Sequence, residues 1–171
     1  ELDLRVYGAG FESMDCEAML QDFSAQRTET HLVGLFHGDP AQSSSPYNPI
    51  TKAQVQNSGL DYLALGHIHK ADQFRAGRTL CAWPGCPMGR GFDELDIKGV
   101  NIVTLEESCS LRLLPLDTPR FYDLESTVDH LDSLLPPVGS DDFYRITLVG
   151  ESEPLDLIAL QETYRRFPNL V

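Results

Sequence analysis

No apolar run in this sequence approaches the roughly 20 residues that a membrane-spanning helix requires; its hydrophobic stretches are short and interrupted. Residues 1–7 lack a basic start, a long apolar stretch and a small-residue cleavage site, so they read as neither a signal nor a transit peptide. Without an initiator Met, they read as a chain opening in mid-domain, as a fragment. Basic residues are scarce: 13 Lys and Arg stand against 26 Asp and Glu, a formal charge of −13. Such a surface repels phosphate backbones, so weak DNA binding by this chain alone is expected. The four cysteines, Cys16, Cys81, Cys86 and Cys109, are too sparse for a disulfide framework and lack C-x-x-C spacing. They read as reduced thiols of a cytoplasmic protein.

What is present suits a globular chain: 42% hydrophobic and 23% charged residues over 171 positions, enough for one domain or a domain with a small appendage. Alternation over residues 2–7 predicts a strand closed by Gly8 and Gly10. A helix is expected next, capped by Asp15, with Met19, Leu20 and Phe23 on its apolar face. The apolar run 31–36 predicts a buried strand delivering His37-Gly38-Asp39-Pro40, and the serines and prolines of 41–49 a loop. Thr51 starts a short helix through Val55, and a second buried strand, 60–65, ends at Gly66-His67-Ile68-His69. Strands are also expected at 78–82, 99–105 and 111–116, with a Gly- and Pro-rich loop at 84–91. After Pro115 and Pro119 the pattern becomes strand (121–125), helix (128–135, stopped by Pro136-Pro137), strand (143–149) and helix (154–167, with Leu157, Leu160 and Tyr164 inward). The reading is therefore α/β, with a first domain at 1–116 and a small α+β domain at 117–171.

Two consecutive strands thus end in histidine-bearing loops, and ligands of open α/β sheets bind at the C-terminal strand ends. Neutral imidazole suits zinc, manganese and iron, and a His-x-His pair can bring two ring nitrogens to one ion or to a pair. The glycines beside His37 and His67 allow close backbone approach.

The residues Leu35-Phe36-His37-Gly38, the run Asp61-Tyr62-Leu63-Ala64-Leu65-Gly66-His67-Ile68-His69-Lys70, the loop from Trp83-Pro84-Gly85 through Gly89-Arg90 to Asp93-Glu94, and Lys98-Gly99 follow one another in an order that resembles the later half of a calcineurin-like metallophosphoesterase of the DNA-repair exonuclease (SbcD-like) branch. The resemblance covers residues 2–116 well. It implies the C-terminal half of a β-sandwich flanked by helices, followed by a cap domain. It also implies two divalent ions, manganese first and zinc or iron as alternatives, activating a water for in-line attack on a phosphodiester. By that resemblance His37 and His67 are ligands to one ion and His69 to the other. An SbcC-like SMC-type ATPase and DNA are the implied partners.

The D-x-H, G-D-x-x-D and G-N-H-D/E motifs of the family are absent from this sequence. The catalytic residues are therefore expected upstream of residue 1, and weak or absent metal binding with little hydrolysis is expected of this chain. Two other classes stay open: a non-catalytic interaction module or degenerate relative, and a phosphoesterase acting on small nucleotides or phosphoproteins. Removing half of a layered sandwich also uncovers apolar sheet surface, so self-association or a compensating rearrangement is expected.

Other residues carry paired readings. Asp39 can orient a histidine or simply be solvated; Arg90 can meet a substrate phosphate or pair with Asp93 or Glu94. Cys81 and Cys86 can join His67 and His69 around zinc or be buried thiols, with C-x4-C wider than a zinc knuckle. Trp83 can anchor its loop by packing or contact a base. His31 and His130 read as structural or exposed.

Overall fold

The computed structural model describes residues 3–95, 97–151 and 153–171. Contacts divide the chain into two compact units: residues up to Pro87 with Lys98–Leu116, and Met88–Ile97 with Asp117–Val171. Among the described residues no helix is long and apolar enough to cross a membrane.

The first unit is a five-stranded sheet in the order β1 (Leu4–Ala9), β2 (His31–His37), β3 (Tyr62–Gly66), β5 (Thr79–Trp83), β4 (Asp72–Ala76). The first four run parallel, and β4 pairs antiparallel with β5 at the edge. Parallel strands buried on both faces become near-continuous apolar runs, and Thr79–Trp83 is buried at every position. One face packs Leu32, Phe36, Leu63, Leu65 and Cys81 with Leu20, Val55 and Leu60. On the other, Tyr62, Leu80 and Ala82 meet Cys109, Val103, Leu105 and Leu111 of the antiparallel hairpin β6 (Gly99–Leu105) and β7 (Cys109–Pro115). Val33 packs at the margin of that cluster, whereas Val6 and Leu35 remain exposed. Helix α1 (Lys52–Asn57) begins at Thr51, whose hydroxyl and Gln54 form a reciprocal capping box, and it buries Val55.

Several expectations need correction. The Leu2 end of the first predicted strand lies outside the described residues, and the strand runs Leu4–Ala9. The helix expected beyond Gly10 does not form; its segment is irregular, Asp22 has φ +59, and Asp15 caps nothing helical. The reason is competition: Cys16 N–H donates to Pro46 O at 2.7 Å and Cys16 O accepts from Asn48 N at 2.8 Å. The second of these bonds takes the Cys16 carbonyl that a helix would pair with the N–H four residues on. Strand β4 was not foreseen, because Asp72, Gln73 and Arg75 give an edge strand no apolar alternation.

In the second unit β8 (Phe121–Ser126) and β9 (Phe143–Leu148) pair in parallel, with Phe121 stacked on Phe143 at 4.6 Å and Tyr122 on Tyr144 at 4.8 Å. The helix predicted at 128–135 is a 3-10 turn, Val128–Ser133. Pro136 disfavours helical geometry at Leu135, so the segment ends earlier than expected. Helix α2 (Leu157–Tyr164) starts where Asp156 accepts from Ile158 and Ala159 N–H, so it is shorter than predicted, and Leu157 faces solvent.

Candidate metal centre

Register brings the histidines together. In the β2–β3 pair His37 lies opposite Gly66, so His67 follows directly at the same sheet end. The Nδ1 of His67 is 3.3 Å from Nε2 of His37, with ring centroids 5.2 Å apart and planes at 82°. Gly66 is needed for this approach: a Cβ there would lie 3.0 Å from His37 Nδ1. His67 itself has φ +112, a conformation that strains any residue bearing a Cβ. The chain bends at this histidine, directly after β3.

The Asp39 carboxylate stands 3.9 Å from His67 Nε2. Asp39 is buried, not solvated, and accepts from Ala41 N–H at 2.8 Å and Gln42 N–H at 3.2 Å. Burial pushes its carboxyl up, but the Ala41 N–H, the Ser45 hydroxyl, the Gln42 N–H and the His67 charge together hold it below the usual range. Its charge favours the proton of His67 on Nε2, leaving the Nδ1 lone pair toward His37. His37 is held below the ordinary histidine value by burial first, then by the charges of His67 and His69. It is therefore neutral near neutral pH, the form that offers a lone pair to a metal.

His69 follows two residues after His67, and its charge is the smallest of the influences on His37. Its carbonyl accepts from Cys86 N–H at 3.3 Å and from Lys98 Nζ at 3.4 Å, and Gly85 makes room, since a Cβ there would sit 2.6 Å from it. Lys98 is a buried lysine. Its position explains why a lone Lys-Gly pair far along the chain belongs to the histidine loop, a role that sequence spacing alone did not expose. Phe11 and Tyr47 were missed too: Phe11 stands edge-on to His37 at 5.5 Å, and Tyr47 lies tilted 5.4 Å from His67.

Two facing imidazole nitrogens either share a proton or converge on a cation. At metal–nitrogen distances of about 2.0–2.1 Å, nitrogens 3.3 Å apart subtend roughly 105° at one ion, near the tetrahedral value. The donor chemistry thus fits a nitrogen-loving divalent ion on two arms. Among the described residues no group of three or more His, Cys, Asp or Glu is arranged as a metal cage.

The remaining candidates resolve otherwise. Arg90 belongs to the second unit, where its guanidinium pairs with Glu94 at 3.2 Å and its N–H also donates to that carboxylate. Cys81 is fully buried in the core, and burial drives its thiol up to about 12. Cys86 is half-buried, and among the described residues no zinc cluster joins them. Trp83 is buried edge-on to Phe74 at 6.1 Å, the packing role. His31 opens β2; His130 is exposed in the 3-10 turn, with Nδ1 2.9 Å from Thr127 Oγ1.

No family model matches the chain. Over 104 residues it is 31% identical to an uncharacterized metallophosphoesterase, YhaO, of Bacillus subtilis (strain 168), an alignment covering 57% of this chain and 25% of that protein. The chain therefore spans a quarter of the length of the curated relative that it matches. The similarity is thus to a protein named as a metallophosphoesterase, a class whose members generally use divalent metals.

Proposed function

We propose that the chain supplies part of the metal-binding face of a phosphodiester hydrolase of the DNA exonuclease type, working in the cytoplasm beside an SMC-type ATPase of the SbcC kind. The observation that carries this reading is the His37–His67 nitrogen pair, 3.3 Å apart at the ends of adjacent parallel strands. Similarity to a protein named as a metallophosphoesterase supports the reaction class; the exonuclease branch rests on the residues around Gly66-His67-Ile68-His69.

In this reading His37 and His67 hold one divalent ion, and His69 contributes to a second. Bound ions of this kind, with manganese the first choice, neutralise charge on phosphoryl oxygens and acidify a water. The chain's own residues do the holding: Asp39 orients His67, and burial keeps His37 neutral and able to bind. With two nitrogens for one ion and one for the other, this chain binds metal weakly and turns over little substrate by itself. With a net charge of −13, this chain by itself is expected to bind DNA weakly.

A second reading shares with the first the lack of a three-donor cage among the described residues: an interaction module of this fold without catalysis. The two separate by titrating Mn2+ into the chain calorimetrically and assaying bis-p-nitrophenyl phosphate hydrolysis in millimolar Mn2+. Weak binding that His37→Ala abolishes, with turnover at background, supports the proposal. Binding indifferent to His37→Ala sinks the metal-site reading, and robust turnover sinks the claim of an incomplete site.

A further inference from the structure

We infer that Asn48 is the positioning residue that sets both His37 and Asp39 against His67, an inference resting on the reading of that histidine pair as a metal-binding site. Asn48 lies in the serine- and proline-rich loop yet is fully buried, at 0% exposure. Its Nδ2 donates to the His37 carbonyl at 2.8 Å, and its Oδ1 accepts from Met19 N–H at 2.7 Å. Its backbone carbonyl accepts from Asp39 N–H at 3.0 Å, and its own N–H donates to Cys16 O. One residue thus holds the peptides on both sides of Gly38 and ties them to the 16–19 segment.

The need for such a clamp follows from where His37 sits. It is the last residue of β2, and beyond it the sheet offers a single long bond, Gly38 N–H to Gly66 O at 3.3 Å. A strand end so weakly held would let the His37–Gly38 peptide plane rock, and with it the Cα–Cβ direction of the imidazole. A shift of about 1 Å at a positioned group is enough to spoil its chemistry. The Asn48 amide fixes that plane from one side, and its carbonyl, together with that of Tyr47 at 3.1 Å, holds Asp39 N–H on the other. Gly38 is bare to admit it: a Cβ there would lie 2.7 Å from Asn48 O and 2.8 Å from Asn48 Nδ2.

The residue type is demanding. Asn48 has φ +50, a left-handed conformation that asparagine and glycine tolerate best. Only the amide also offers a donor and an acceptor at this reach: Asp lacks the donor, and Gly lacks both. Because the clamp acts on backbone, it governs ring geometry before any ion arrives, which makes it testable without metal.

The test compares Asn48→Asp and Asn48→Gly with Ser58→Ala, a loss of a fully buried hydroxyl that bonds Val55 O. In metal-free protein, ring-to-ring nuclear Overhauser contacts between His37 and His67 report the geometry; calorimetry reports Mn2+ affinity. Both Asn48 variants are expected to lose the ring contacts and to weaken Mn2+ binding by about tenfold or more, whereas Ser58→Ala, though less stable, keeps both. If the Asn48 variants behave like Ser58→Ala, the inference is overturned. Wild-type protein that binds no Mn2+ removes the metal reading, and the ring contacts then decide the role of Asn48 alone. Should Asn48→Asp not fold, Asn48→Gly, whose backbone takes the left-handed conformation freely, carries the comparison. The wild type supplies a further check: slow exchange of the Asn48 side-chain amide protons is expected, and fast exchange counts against the clamp.

Discussion

His67 Nδ1 faces His37 Nε2 at 3.3 Å although 30 positions separate them in sequence. Two lone pairs at that distance repel unless a proton or a metal ion lies between them. If both arms hold one ion, their losses are not additive. His37→Ala and His67→Ala are each expected to weaken divalent-ion binding by about tenfold or more, with the double variant little worse than either single one. A calorimetric double-mutant cycle checks this; strictly additive losses would mean separate sites.

The φ of +112 at His67 predicts a difference between two substitutions that both remove the imidazole. Glycine relieves the backbone strain and alanine does not. His67→Gly is expected to be more stable than His67→Ala by about 1 kcal/mol, at the low end for a strained residue. Urea denaturation gives the order directly, and an Ala variant as stable as the Gly variant contradicts the strain.

At the opposite ends of these strands, Asp61 is buried between Arg27 at 3.0 Å and Arg78 at 2.5 Å, and accepts from Leu32 N–H at 2.9 Å. Burial pushes its carboxyl up, but the Leu32 N–H, the Arg27 bond and the charges of Arg78 and Arg27 outweigh it and hold it below the ordinary value. The unfolded state therefore binds the proton first. The contribution is fully present above the unfolded value of about 3.9 and is lost as pH falls through the lower folded one. Both arginines are partly exposed, so Asp61→Asn is expected to cost only about 1–3 kcal/mol at neutral pH. The gap to wild type should narrow on acidification. Urea midpoints across the acid range test this, and a constant gap would refute it.

The thiols divide by burial. Cys81 and Cys109 are buried and held high by desolvation, Cys81 to about 12, while Cys16 and Cys86 are half-buried. Since the thiolate is the reactive form, an aromatic disulfide reagent should titrate Cys16 and Cys86 quickly, and Cys81 and Cys109 only on unfolding. Four equal rates would mean that the core is open.

Much of the first unit was legible from local pattern. Leu32, Phe36, Leu63 and Leu65 are apolar because they share the face of the sheet that packs on the core, and a short apolar run between breakers announces such a strand. Thr51 announced the start of α1 in the same way, while its reciprocal box with Gln54 came from the structure. Strand β4 escaped because an edge strand can be polar, and the helix expected near Asp15 failed because helical spacing of Met19, Leu20 and Phe23 says nothing of where Cys16 finds its backbone partners. Within the site, His37, His67 and His69 were legible as histidines closing strands. Asn48, Phe11 and Lys98 were not, because an amide, a ring and an ammonium acquire a role only from what lies beside them.

What the order of residues determined by itself is the apolar strands of the sheet, though not its polar edge β4, and the chemistry of the donors at their ends, since these depend on neighbours one to four positions away. The tertiary structure alone decided that the His37 and His67 nitrogens face each other, that Asp39 is buried beside them, and that Asn48 clamps the strand end. Those outcomes depend on the parallel register of β2 with β3 and on loop contacts between distant segments, free energies that arise only when the chain closes on itself.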